Sequence, residues 1–210
     1  MLDQAIKDQL KQYLALLEGD LVIKYSVADD KASQDILELV NELTNLSTRI
    51  TSEEAPLERT PSFSVNKAGE ADSGVIFAGL PLGHEFTSLV LALLQVSGRA
   101  PKVEKATIDR IQAIKKPLVF ETYVSLTCHN CPDVVQALNI MAVLNPNVTH
   151  TMVEGGTFQN EIQARDIMAV PTVFLNGENF GGGRMELEDI LKKIKEKSDG
   201  SEFDGVEPFD

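Results

Sequence analysis

The chain has 210 residues, 43% of them apolar, enough for one large domain or two small ones with proper cores. Its net charge is −13 with no Lys/Arg cluster, which argues against nucleic acid and anionic membrane as partners. The polar start Met1–Asp8 is no secretory signal, and the longest apolar stretch, Leu89–Leu94, is too short to span a bilayer, so the chain reads as cytoplasmic.

Leu2, Ile6, Leu10, Tyr13, Leu14 and Leu17 share one face and predict a helix over 2–18. A strand follows over 21–27, a helix over about 31–46, and a short strand over 47–51. Strands over 61–65 and 74–78 and a helix over about 83–96 close the first unit. The second half opens with a helix near 103–115. A strand over 118–125, a helix over about 131–143 and a strand over 148–153 come next. Strands over 171–175 and 178–180 flank the tight-turn signal Asn176-Gly177, and a helix over about 185–195 ends the pattern.

The order α-β-α-β-β-β-α thus occurs twice. Leu21-Val22-Ile23 stands where Leu118-Val119-Phe120 stands, and Thr60-Pro61-Ser62-Phe63 where Val170-Pro171-Thr172-Val173 stands. Asp30-Lys31-Ala32-Ser33 falls at about the place of Cys128-His129-Asn130-Cys131, so one unit holds both cysteines and the other none. Ser97–Lys102 is the natural joint. This divides the chain into a cysteine-free unit, 1–98, and a cysteine-bearing unit, 99–196. An acidic stretch over 197–210 reads as a solvated linker.

Cys128 and Cys131 sit on a strand-to-helix turn, where two thiols can open and close one disulfide without moving the backbone. The helix start favours thiolate, which makes Cys128 the attacking sulfur and Cys131, a turn further in, the resolving one. Pro132 suits the first helical turn. A zinc site would need four ligands; His84, His129 and His150 fall at no zinc-finger spacing, so no metal is expected. Inert buried thiols are the remaining alternative. Pro171, 40 residues beyond Cys131, is expected to be cis and to lie against the disulfide, leaving a backbone edge for a substrate segment. Gly181-Gly182-Gly183 lacks the lysine of a phosphate loop and reads as a turn; no flavin or nicotinamide fingerprint occurs, so no cofactor is expected in this chain.

The strand, CxxC and helix followed by Val170-Pro171-Thr172-Val173-Phe174-Leu175-Asn176-Gly177 resemble thioredoxin and glutaredoxin. Ser125–Asn139, Gly155–Glu161 and Phe77–Val90 more specifically resemble the N-terminal domain of the F component of alkyl hydroperoxide reductase, over essentially the whole chain. The resemblance implies an α/β chain of two tandem thioredoxin-like folds. It implies electron flow from NADH through FAD and a second dithiol in a C-terminal flavoprotein reductase domain to Cys128/Cys131. From there electrons would pass to a two-cysteine peroxiredoxin, with the full-length protein a homodimer and this chain an N-terminal piece. It places Glu85 near the CxxC, where a carboxylate raises a thiol pKa or accepts its proton; otherwise Glu85 is a solvated first-turn residue. His129 and Asn130 lie inside the motif, and His84 and His129 read as partner-surface or solvent groups. A general thiol-disulfide oxidoreductase or isomerase is the alternative function, disfavoured by the cysteine-free first half, and a non-enzymatic scaffold is the third.

Overall fold

Apolar residues at helical spacing bury Leu10 and Leu14 on α1 (Gln4–Leu14), which Asp3 opens by accepting the Ile6 amide. In the computed structural model, which describes residues 2–199, β1 (Leu21–Ser26) follows, with Leu21 and Ile23 buried. The carboxylate of Asp30 caps α2 (Lys31–Leu46) at the Ser33 amide, 2.8 Å away. The first half continues through β2 (Ile50–Glu54), β3 (Ser62–Lys67), β4 (Val75–Ala78), a 3-10 turn (Gly83–Glu85) and α3 (Phe86–Ser97). The second half contains α4 (Lys105–Gln112), β5 (Leu118–Val124), α5 (Cys131–Leu144), β6 (Val148–Glu154) and α6 (Gln159–Ala164). It ends with β7 (Thr172–Leu175), β8 (Glu178–Gly182) and α7 (Leu187–Asp199).

The strands form one sheet in the order β2-β1-β3-β4-β6-β5-β7-β8. β1 is parallel to β2 and antiparallel to β3, and β3 is antiparallel to β4. β5 repeats these relations with β6, β7 and β8. Two four-stranded arrays of the same topology therefore meet where β4 runs parallel to β6, with Val75 opposite His150 and Ala78 opposite Val153. The repeat is legible in the sequence; its fusion into a single sheet is not, because period-two alternation fixes faces and not which edges meet.

α3 packs across α5, and one apolar core runs through both halves, from Leu10, Ile36 and Phe77 to Leu138, Phe180 and Ile190. β5 shows the alternation: Phe120 and Val124 enter this core, while Tyr123 joins Ala78, Val153 and Phe174 in a smaller cluster with Ile162 of α6. Among the described residues no helix is long and apolar enough to cross a membrane.

Several boundaries differ from expectation. The strand expected over 47–51 begins at Ile50, because Ser47 is the extended cap of α2 and Arg49 is held by Asp20 and the Leu17 carbonyl. α6 is absent from the predicted elements; with Ile162 as its one large apolar residue it offers no periodicity to read. α7 continues through 197–199, so the stretch expected to be linker from 197 begins as helix, and residues 200–210 lie outside those described. Aligned on their helix caps, Asp30 and Asn130, the counterpart of the CxxC is Ala28-Asp29-Asp30-Lys31, two residues earlier than the sequence match. The paired prolines agree: the Thr60–Pro61 and Val170–Pro171 bonds are both cis.

Candidate active site

The buried β5 delivers the chain to a short turn, Ser125–Asn130, from which α5 starts at Cys131. The Cys128 amide closes this turn on the Ser125 carbonyl at 3.1 Å. Cys128 and Cys131 form a disulfide across a Cα separation of 5.6 Å. Their surroundings differ: Cys131 is fully buried, whereas Cys128 is only partly covered. Asn130 occupies the cap position of α5 but its side chain makes no capping hydrogen bond and is exposed, so the positive end of the helix stays directed at the sulfurs. Pro132 takes the early helical position that needs no N–H.

The cis-proline loop lies against this turn. Cys128 Sγ is 3.8 Å from the Val170 carbonyl oxygen, and the Pro171 carbonyl accepts the Gly183 amide at 3.0 Å. Arg184, just beyond, pairs with Asp133 in the first turn of α5 at 2.9 Å. Beside the loop opens a cleft of about 400 Å³ lined by Ser125, Glu154, Ile162, Ile167, Met168 and Val170. Met168, on the wall of this cleft, is 94% exposed.

The cysteine-free half reaches the same place. The His84 amide donates to the Leu126 carbonyl at 2.9 Å, and the exposed His84 ring stands edge-on to that of His129, centroids 4.5 Å apart. Glu85, next in the 3-10 turn, is fully buried rather than solvated. Its Oε1 accepts the Ser88 hydroxyl at 2.7 Å, Ser88 in turn accepts Gln136 Nε2 of α5 at 3.1 Å, and Oε2 has no partner among the described residues. Burial pushes the Glu85 carboxyl up to about 7, and the Ser88 hydrogen bond only partly opposes this.

Two further polar groups escape sequence reasoning because their members are distant in the chain. His150 is fully buried; Nδ1 donates to Asn139 Oδ1 at 2.7 Å and Nε2 accepts from Thr122 Oγ1 at 2.8 Å. Burial drives its pKa down to about 3, so the ring is neutral and joins α5 to β5 and β6. On the other side of the sheet Arg59 of the first half pairs with Glu121 and Glu161, Arg165 pairs with Glu121, and the Tyr123 hydroxyl donates to Glu161 at 2.6 Å. Burial favours protonated Glu161, but hydrogen bonds from Arg59 and Tyr123 outweigh it and hold the carboxyl below its ordinary range.

The glycine triplet is not a phosphate cradle. Gly181 and Gly182 belong to β8, paired with Val173 and Thr172, and only Gly183, at φ +77°, turns the chain. A Cβ on Gly181 would meet Lys193 Nζ at 2.6 Å, the free end of a flexible side chain that can swing aside. Among the described residues no group of three His, Cys, Asp or Glu could hold a metal ion.

The model of the thioredoxin domain family matches residues 119–196. The whole chain is 60% identical to a Bacillus subtilis protein named NADH dehydrogenase, covering 41% of it. It is 54% identical over its full length to the F component of alkyl hydroperoxide reductase from Staphylococcus epidermidis, again 41% of that protein. The solved NTD_N/C domain of alkylhydroperoxide reductase AhpF from Enterococcus faecalis superposes with a TM-score of 0.84 at 30% identity, covering 91% of this chain and 99% of that one. The chain belongs to the family of N-terminal domains of the alkyl hydroperoxide reductase F component. It is a thioredoxin-like thiol-disulfide redox module of that family. The chain spans about two fifths of the length of the curated relatives it matches.

Proposed function

We propose that the Cys128–Cys131 pair carries electrons from a flavin- and NADH-dependent reductase region outside these residues to the disulfide of a two-cysteine peroxiredoxin. The observation that carries this reading is the asymmetry of the pair: one sulfur reachable beside the cis-proline loop, the other fully buried at the first residue of α5. In the reduced form the Cys128 thiolate attacks one sulfur of the partner disulfide and releases the other as a thiolate, which takes up a proton. The Cys131 thiolate then attacks the Cys128 sulfur of the mixed disulfide and releases the second partner thiol. Two electrons leave the dithiol, two reach the partner, and Cys128–Cys131 is again a disulfide.

The chain's own residues support both steps. The positive end of α5 favours the thiolate at Cys128. Buried Glu85, tied to α5 through Ser88 and Gln136, can hold or release a proton near neutral pH, when Cys131 must lose one. A flavin in that region would supply the electrons; in this chain Gly181 and Gly182 lie in β8 and Gly183 turns the chain, so the triplet is no phosphate loop.

The test is direct. The fully reduced chain should reduce a two-cysteine peroxiredoxin disulfide with one-to-one stoichiometry. Cys131→Ser should accumulate a mixed disulfide through Cys128, and Cys128→Ser should trap little. No reduction of such a disulfide by the reduced chain would overturn the reading.

A further inference from the structure

The cysteine-free half touches the redox loop through the 3-10 turn Gly83–Glu85. Its backbone is held there twice. The His84 amide donates to the Leu126 carbonyl, and Gly83, at φ +57°, approaches so closely that a Cβ would stand 2.8 Å from the same oxygen. From this anchored turn the His84 ring projects onto His129, the residue that follows Cys128 in the chain. Both rings are exposed, so neither serves the core, and the contact spans the two halves of the sheet.

We infer that His84 is a positioning residue of the redox centre: through its ring contact with His129 the cysteine-free half fixes the Cys128–Cys131 turn in its disulfide conformation. The inference rests on the redox reading above. The anchored backbone makes His84 the fixed partner and His129, on an exposed turn, the one that is oriented. Edge-to-face ring pairs of this spacing carry enough energy to bias an equilibrium severalfold. The pair is formed here with the disulfide closed, so its loss should favour the opened dithiol.

The experiment equilibrates wild type, His84→Ala, His129→Ala, the double variant and His84→Phe at pH 7 with fixed ratios of reduced to oxidised glutathione. The dithiol fraction is then counted by alkylation. His84→Ala should raise the equilibrium constant for reduction about threefold to tenfold, roughly 15–30 mV. His129→Ala should do the same, and the double variant should go no further. His84→Phe should return the constant to within about twofold of wild type. Thermal melting of the dithiol form should stay unchanged, whereas the disulfide form should lose about the same threefold to tenfold in its folding equilibrium, because the contact acts in that form alone. An unchanged constant in His84→Ala, additive single effects or no rescue by phenylalanine would each overturn the inference while leaving the redox reading intact. If wild type itself does not exchange with glutathione, both are overturned.

Discussion

Glu85→Gln should remove a pH dependence of stability that the wild type carries. The side chain is fully buried, it accepts a hydrogen bond from Ser88, and Oε2 has no partner among the described residues. The carboxyl keeps its proton in the folded protein up to about pH 7, against an ordinary value of 4.5. The unfolded chain loses that proton near the ordinary value, so the native state binds more protons between the two. Stability therefore falls as pH rises through this window and is level on either side of it. A rise from 4.5 to about 7 corresponds to about 3 kcal/mol. Glutamine has the same shape and does not ionise. Its stability should match the wild type near pH 4.5 and exceed it by about 3 kcal/mol at pH 8. Urea denaturation of both oxidised proteins, followed by circular dichroism at several pH values, measures the difference, in which all other titrating groups cancel. A difference that stays constant from pH 4.5 to 8 would refute the burial argument.

Arg59→Ala should cost about 3–5 kcal/mol, because it leaves Glu121 in the sheet with less than its full complement of charge; urea unfolding showing a loss under about 1 kcal/mol would count against the ion network. Cys128 in the reduced chain should be alkylated at pH 7 at least about tenfold faster than buried Cys131, and mass spectrometry of short iodoacetamide pulses showing equal rates would contradict the assigned roles. Gly83→Ala should destabilise by about 1–3 kcal/mol, since φ +57° disfavours a side chain and the new Cβ would crowd the Leu126 carbonyl; a melting temperature unchanged within error would remove the case for a tight anchor. The purified 210-residue chain should show no flavin absorbance and should not oxidise NADH, and a flavin spectrum would disprove the reading of its glycines.

Local order is written directly in the residues. The apolar, β-branched run Leu118–Val124, the CxxC and the proline in the first turn of α5 specify strand, turn and helix within about twenty residues, where chain geometry leaves few choices. The matched Thr60-Pro61 and Val170-Pro171 mark the repeat for the same reason, each being a short signal at a fixed place in its unit. α6 stays hidden because a six-residue helix with one large apolar side chain has no period to detect. Long-range packing, by contrast, joins the halves into one sheet through β4 and β6. The same packing buries Glu85, for which a place near the CxxC and a solvated first turn were both open from the residues. Arg59 reaches Glu161 across 102 residues, Gln136 reaches Ser88 across 48, and His84 reaches the turn that carries Cys128. Such contacts depend on where folding brings distant segments together. A side chain's polarity announces that it needs a partner, but the packed chain determines which partner, how far from water, and so at what pKa.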